Sequence, residues 1–300
     1  MKRAGFGLSL LLILSAIAVR GRLSASQTAV QDSEQVKIER DVLYGEADGQ
    51  KLLLDIYMPT VSASNRPAVL FVHGGGWAAG DKAGFGSIAS LLAKGGYVCF
   101  SANYRLVTDQ GNRYPAQIDD VQRAVRWIRS NASKYGLNPK RIGAIGDSAG
   151  GHLVSLLGTR DTRDNSDKSL AKYSSQVSCV VDMYGPTDFN AGEGSISKFA
   201  AEIVYKFLGK KPAEDAKLYR EASPVTYVNK KSSPFLIFHG TKDELVPMEQ
   251  SQRIYDKLHA AGVEVTLIKM QDDGHGFALP DNQKKFALET ISFFDRHLKN

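Results

Sequence analysis

Three observations predict an α/β fold, with a mostly parallel sheet of about eight strands covered by helices on both faces. Short apolar runs alternate with helical patterns from Val36 to Leu298. Glycines punctuate many of the junctions, as at Gly49, Gly95, Gly136 and Gly262. The chain holds no evident internal repeat or low-complexity tract. Strand alternating with helix forces parallel pairing, because each crossover helix must return the chain to the same end of the sheet.

The elements follow in order. Residues 36–44 and 51–57 are apolar runs either side of Gly49 and read as an antiparallel pair. Residues 68–72 are a strand, and Ile88, Leu91 and Leu92 mark a helix ending at Gly95 and Gly96. Residues 97–100 form the next strand. Ile118, Val121, Val125 and Ile128 recur at helical spacing. Residues 141–145 read as a buried strand and 152–157 as a helix. Residues 177–183 and 234–238 are strands flanking an irregular insert, about 187–233. Ile203, Val204, Phe207 and Leu208 fit one amphipathic helix inside it, so the insert reads as a small lid rather than a second domain. A helix carrying Ile254 and Leu258 reaches Gly262, and residues 263–270 are the last strand. Ala287, Ile291, Phe294 and Leu298 mark a closing helix with Asp281 as its expected cap.

The first 26 residues read as an export signal. Lys2 and Arg3 precede an apolar stretch of 13 residues, 7–19, and Ser24, Ala25 and Ser26 supply small residues before Gln27. The stretch is shorter than the ~20 residues of a membrane span. The expectation is a secreted or periplasmic protein, one domain over 27–300, with no stable membrane insertion after cleavage. The formal charge of +6 then changes meaning. Four of the 38 basic residues lie before Gln27 and none of the 32 acids does, leaving 34 against 32, a net of +2. Nothing in that balance points to nucleic acid or an anionic membrane. Cys99 and Cys179 lie in separate apolar runs that are not expected to be sheet neighbours, so two buried thiols are expected rather than a disulfide. No Cys/His metal spacing is present, and neither metal nor organic cofactor is expected.

Ligands of a parallel sheet bind beyond the carboxyl ends of its strands. Gly146-Asp147-Ser148-Ala149-Gly150 stands at such an end, between strand and helix. Glycines two positions either side of a serine allow the tight strained turn that holds a nucleophile at a helix N-terminus. His73-Gly74-Gly75-Gly76-Trp77 follows the strand at 68–72. Consecutive glycines let backbone amides approach a substrate oxygen. With the Ala149 amide, those of Gly75 and Gly76 would form an oxyanion hole. Asp243 and His275 each follow a strand, in the order Ser148, Asp243, His275. A serine needs a histidine to take its proton, and the histidine needs a carboxylate to fix its tautomer.

Rival residues are present. Glu244, Asp272 and Asp273 are alternatives for the acid. His152 reads as a core or supporting residue one turn beyond Ser148. His73 reads as a tie for the glycine loop and His239 as a buttress of the acid loop, while His259 and His297 fall on helix surfaces. Trp77, Tyr104 and Val246 are expected to line the acyl or sugar side of the cleft, against the plainer reading that they pack the core or rim.

His-Gly-Gly-Gly-Trp at 73–77, Gly-Asp-Ser-Ala-Gly-Gly-His at 146–152, His-Gly-Thr-Lys-Asp at 239–243 and Gly-His-Gly-Phe at 274–277 resemble the α/β-hydrolase esterases. The resemblance is nearest to the exported group with bifunctional acetylxylan/feruloyl esterases, and includes Asn103-Tyr104-Arg105-Leu106 and residues 114–120. Hormone-sensitive-lipase-like esterases share the first two motifs. The resemblance implies an α/β-hydrolase fold over roughly residues 40–298 and two-step ester hydrolysis without a cofactor. It implies short-chain or polysaccharide side-chain esters, acetyl or feruloyl, as substrates. A prolyl-oligopeptidase-type peptidase or a lipase is the alternative enzyme, and a non-catalytic ligand-binding protein on the same fold is the alternative of another class.

Overall fold

The computed structural model describes residues 35–190 and 197–300. The export signal expected over residues 1–26 lies outside the described residues. The first two runs form a hairpin, β1 (Val36–Ala47) and β2 (Gln50–Pro59), paired antiparallel. Its turn is Asp48-Gly49, with φ of 48° and 72°. Two consecutive left-handed residues match the twist of a two-residue hairpin. A register shift in β1 between Glu39 and Val42 leaves Asp41 at φ 55°. This bulge serves the fully buried Asp55 on β2. Its carboxylate accepts from the Asp41 amide at 2.9 Å and pairs with Lys82 at 2.9 Å and Arg40 at 3.0 Å. A buried charge is tolerable only with such partners.

The remaining strands are β3 (Arg66–Val72), β4 (Val98–Ala102), β5 (Leu137–Asp147), β6 (Cys179–Met183), β7 (Phe235–Gly240) and β8 (Val265–Met270). Their order is β1-β2-β4-β3-β5-β6-β7-β8. β2 meets β4 antiparallel, and every pair from β4 to β8 is parallel. The chain thus forms the eight-stranded, mostly parallel sheet that its alternation predicts.

Seven helices connect the strands among the described residues: α1 (Gly86–Lys94), α2 (Ala116–Ser130), α3 (Ala149–Thr159), α4 (Lys198–Leu208), α5 (Ala216–Ala222), α6 (Glu249–Ala260) and α7 (Pro280–Phe294). They cover the two faces unequally. Leu70 and Val72 of β3 point into a layer with Val121 of α2, Leu153 of α3 and Ile254 of α6. Val69 and Phe71 point the other way, toward Ala89 and Leu92 of α1 and Phe293 and Phe294 of α7. Alternation along a strand divides apolar residues between the two layers.

Some helix details differ from the sequence reading. Leu91 is exposed, and α1 instead buries the small residues Ala89 and Ala93 beside Leu92. α7 has Leu279 at its cap and Pro280 as its first residue, so Asp281 sits inside the first turn and caps nothing. Proline takes that position readily because the first amide has no helical partner. The insert between β6 and β7 contains α4 and α5, and α4 buries Val204, Phe207 and Leu208.

Cys99 on β4 and Cys179 on β6 are both free and fully buried. β3 and β5 lie between their strands. Burial pushes both thiols well above the usual cysteine range. Ellman's reagent should therefore titrate no thiol in the native protein and two per chain after unreduced unfolding in guanidinium. A native disulfide would leave none in either state.

Candidate active site

The site begins where β5 becomes α3. Ser148 occupies φ 52°, ψ −116°, between the last residue of β5 and the first of α3. Left-handed backbone at a non-glycine residue is strained. Two neighbours hold it. The Ser148 amide donates to the Met183 carbonyl at the end of β6, at 2.8 Å. α3 also crosses so close to β3 that a Cβ on Gly150 would stand 2.0 Å from the Val72 carbonyl oxygen. Only glycine permits that crossing.

Ser148, His275 and Asp243 come together. Asp243 Oδ2 lies 2.7 Å from His275 Nδ1, and His275 Nε2 lies 2.9 Å from Ser148 Oγ. An ionised carboxylate only accepts, so Nδ1 carries the hydrogen and Nε2 is left to accept from the serine hydroxyl. Residues from the ends of β5, β7 and β8 thus meet across sequence separations of 32 and 127. The rival acids are elsewhere. Asp272 pairs with Lys242 at the surface, and Glu244 is exposed. Asp273 is buried and caps the following turn through the Ala278 and Leu279 amides.

Asp243 is held by four groups. Its Oδ1 accepts from the amides of Leu245 at 2.9 Å and Val246 at 2.8 Å. Its Oδ2 faces His275, and His239 Nε2 stands 3.3 Å away. Burial opposes ionisation of Asp243, but hydrogen bonds from His239 and His275 outweigh it and hold the carboxyl below its usual range. His239 is itself fully buried. It donates from Nε2 to the Val246 carbonyl at 2.7 Å and accepts at Nδ1 from Ser251 at 2.7 Å. It therefore ties both ends of the loop that carries the acid.

The glycine loop after β3 faces the serine. The Gly74 amide donates to Asp147 Oδ1 at 2.8 Å, pinning the loop to the residue before Ser148. Gly75 has φ 105°, and a Cβ there would meet the Ala79 carbonyl oxygen at 2.3 Å. The Gly75 carbonyl accepts from Ala78 and Ala79, which turns it away from the loop's own amides. The amides of Gly75, Gly76 and Ala149 have no hydrogen-bond partner among the described residues. His73 braces this loop through Nδ1, which donates to the Gly74 carbonyl at 2.8 Å.

Three residues expected to line the cleft are almost fully buried. Trp77 is 2 % exposed, at φ 58°; its ring stacks on Phe207 of the insert at 4.0 Å and its Nε1 donates to His152 Nδ1 at 3.2 Å. Tyr104 is 4 % exposed, stacked on His73, with its hydroxyl donating to the His73 carbonyl at 2.9 Å. Val246, within the acid loop, is 5 % exposed. The core takes Trp77 and Tyr104 because each has a polar and an aromatic partner inside, and the left-handed backbone at Trp77 turns its ring inward. Sequence reasoning also passed over Tyr184. It directly follows β6 at φ 46°, and its ring meets His275 edge-on at 4.7 Å. Its position just beyond a strand end was the available signal.

His152 joins these parts. It is fully buried, accepts from Trp77 at Nδ1 and donates from Nε2 to the Ala222 carbonyl of α5 at 2.7 Å. Burial pushes its pKa down to about 4, against a smaller upward pull from the Ala222 carbonyl. The folded state therefore binds this proton more weakly than the unfolded chain does. The stability that depends on a neutral His152 is complete above pH about 6.5 and is lost as pH falls toward 4, by about 3 kcal/mol in all. His152→Gln should show a shallower fall in urea-unfolding stability across that window. Equal slopes for the two proteins would count against a buried neutral imidazole.

Among the described residues, no group of three or more His, Cys, Asp or Glu side chains is disposed to hold a metal ion, and no helix is long and apolar enough to cross a membrane. Comparison with known proteins adds the family. The BD-FAE family model matches residues 54–258, more than half of the chain. Esterase LipC of Mycobacterium tuberculosis is 33% identical over 253 residues, which are 82% of this chain and 61% of that protein. The chain spans less than two thirds of the length of the first curated relatives it matches. A truncated carbohydrate esterase from gut microbiota superposes with a TM-score of 0.76 at 28% identity, covering 90% of this chain and 99% of that one. Esterase Est2 of Thermogutta terrifontis, with propionate bound, superposes at a TM-score of 0.72 and 27% identity, covering 88% and 94%. With more than half its length matched by that model and its sheet shared with these esterases, the chain belongs to the BD-FAE family of α/β-hydrolases.

Proposed function

We propose that the chain is a serine carboxylic ester hydrolase acting on short-chain or polysaccharide side-chain esters, acetyl or feruloyl, outside the cytoplasm. One observation carries the reading. The Ser148–His275–Asp243 relay lies at 2.9 and 2.7 Å, and in the glycine loop pinned beside it the Gly75 and Gly76 amides have no partner among the described residues. Ser148 Oγ attacks the ester carbonyl while His275 Nε2 takes its proton. The tetrahedral oxygen is received by the amides of Gly75, Gly76 and Ala149, the last at the N-terminus of α3. His275 then protonates the leaving alcohol as its bond to the acyl carbon breaks; it next takes a proton from a water that attacks that carbon, and returns it to Ser148 Oγ as the acid leaves. Asp243 keeps Nδ1 protonated and balances the imidazolium.

The substrate reading draws on two neighbours, a carbohydrate esterase and an esterase holding a three-carbon acid. Localisation draws on the basic, apolar and small-residue pattern of the first 26 residues. Under this reading the insert with α4 and α5 is the lid of the site.

Ser148→Ala should lower ester turnover about a millionfold and Asp243→Asn about ten thousandfold, with the fold intact by circular dichroism. An active-serine phosphonate should label wild type and not Ser148→Ala. Undiminished turnover in Ser148→Ala would refute the assignment. A non-catalytic binder would take no label. Assays beside acetylated xylan and methyl ferulate test the substrate class; sole turnover of long-chain esters would make the protein a lipase, and of peptides a peptidase.

A further inference from the structure

We propose that Tyr184 is a positioning residue of the relay, its ring fixing the plane of the His275 imidazole so that Nε2 is aimed at the oxygens it must serve. The inference rests on the esterase reading above. Two hydrogen bonds hold His275, one at each nitrogen. Nδ1 meets Asp243 Oδ2 at 2.7 Å and Nε2 meets Ser148 Oγ at 2.9 Å. Two such contacts set a line through the ring and leave its tilt about that line to something else. The backbone offers little restraint. His275 stands between Gly274 and Gly276; Gly276 has φ 113°, and a Cβ there would have nothing within 4 Å. Tyr184 supplies a third contact, its ring centroid 4.7 Å from that of His275 with the planes inclined at 60°.

Tyr184 can act as a reference because its own place is set by the strands that carry the nucleophile and the acid. It directly follows Met183, whose carbonyl accepts from the Ser148 amide at 2.8 Å. Its own amide donates to the Phe238 carbonyl of β7 at 2.8 Å, and β7 leads into the loop of Asp243. Its φ of 46° is a conformation that a bulky residue keeps only where its surroundings over-determine it. Phe277 packs against the same ring at 5.1 Å with the planes at 85°, and itself rests on Phe238 at 6.1 Å and Phe286 at 5.7 Å. Tyr184 is 7 % exposed. Its hydroxyl has no hydrogen-bond partner among the described residues. Burial, with the carboxylates of Asp147 and Asp243 nearby, pushes the phenol well above its usual range, so it keeps its proton. What Tyr184 offers His275 is therefore a neutral ring of fixed orientation, and the hydroxyl is dispensable to that role.

The test compares variants by turnover of p-nitrophenyl acetate and by phosphonate labelling at Ser148. Tyr184→Leu removes the flat ring and should lower kcat about thirtyfold, within the roughly hundredfold that a misplacement of about 1 Å costs. KM should change little, because the same imidazole serves formation and breakdown of the acyl-enzyme and both slow together. Labelling should slow in proportion yet still reach one phosphonate per chain. A variant that had merely lost its fold would instead label fewer chains, the folded remainder at the wild-type rate, and that result would overturn the proposal. Tyr184→Phe keeps the ring and should turn over at about the wild-type rate. Tyr184→Asn, a residue that accepts left-handed backbone, is the second ringless variant should the leucine chain not fold. Phe286→Leu thins the same aromatic cluster, through Phe238 and Phe277, and should leave kcat at about the wild-type value. Wild-type kcat in the ringless variants would overturn the proposal. So would a loss in Tyr184→Phe as deep as in Tyr184→Leu, which would assign the role to the hydroxyl, or an equal loss in Phe286→Leu, which would make it one of general packing. In each of these cases wild type would still turn over and take the label. Failure of the underlying esterase reading looks different: wild type itself would hydrolyse no ester and take no phosphonate.

Discussion

The crossing of α3 over the end of β3 is the constraint on which the site depends. Gly150 sits so close to the Val72 carbonyl that no side chain fits between them. That closeness sets Ser148 at the top of the sheet in a left-handed backbone and brings the glycine loop after β3 alongside it. The Gly74–Asp147 hydrogen bond then locks the two segments at one separation. Ser148 and the glycine loop are positioned by the same contact, so neither can move without the other. The price is strain, and it is local: Trp77 and Tyr184, like Ser148, are non-glycine residues with positive φ beside the site. Such conformations persist only where packing over-determines them. Here the amides of Ser148 and Tyr184 are held by carbonyls of neighbouring strand ends, Met183 and Phe238.

Histidines divide the labour according to their surroundings. His275 keeps a fifth of its side chain accessible and faces both a carboxylate and a hydroxyl, the setting of a group that must exchange protons. His239 and His152 are sealed, and each spends one nitrogen on a backbone carbonyl and the other on a donor. Partners of that kind make each ring a rigid two-ended strut. One strut spans the acid loop. The other spans the glycine loop and the insert. Both assemblies on either side of Ser148 are thus braced by imidazoles that take no part in the relay.

Much of this was legible before any coordinates, for a definite reason. Chain order and strand-end position are properties of topology, and topology follows from the alternation of apolar runs. Ser148, Asp243 and His275 each stand directly after such a run, and the structure brings them within hydrogen-bonding distance. The glycine loop was legible because glycines in series have few other uses. Side-chain direction was not legible. Trp77 follows the oxyanion glycines in sequence, yet its backbone turns its ring down onto His152 and Phe207. Tyr184 obeyed the strand-end rule and was missed because an aromatic after a strand resembles core. The cap of α7 was misplaced for a related reason: Asp281 is a good cap by type, but Pro280 already begins the helix one residue earlier.

The same distinction explains why the insert matters. A residue in contact with the core announces itself by hydrophobic spacing, and Ile203, Val204, Phe207 and Leu208 did so. Residues on the remaining face of α4 are read in sequence as surface. Their significance comes only from what the helix is anchored to. Phe207 holds α4 against Trp77, His152 holds Trp77 against α3, and α3 begins at the residue after Ser148. This chain of contacts gives an ordinary amphipathic helix a fixed place relative to Ser148.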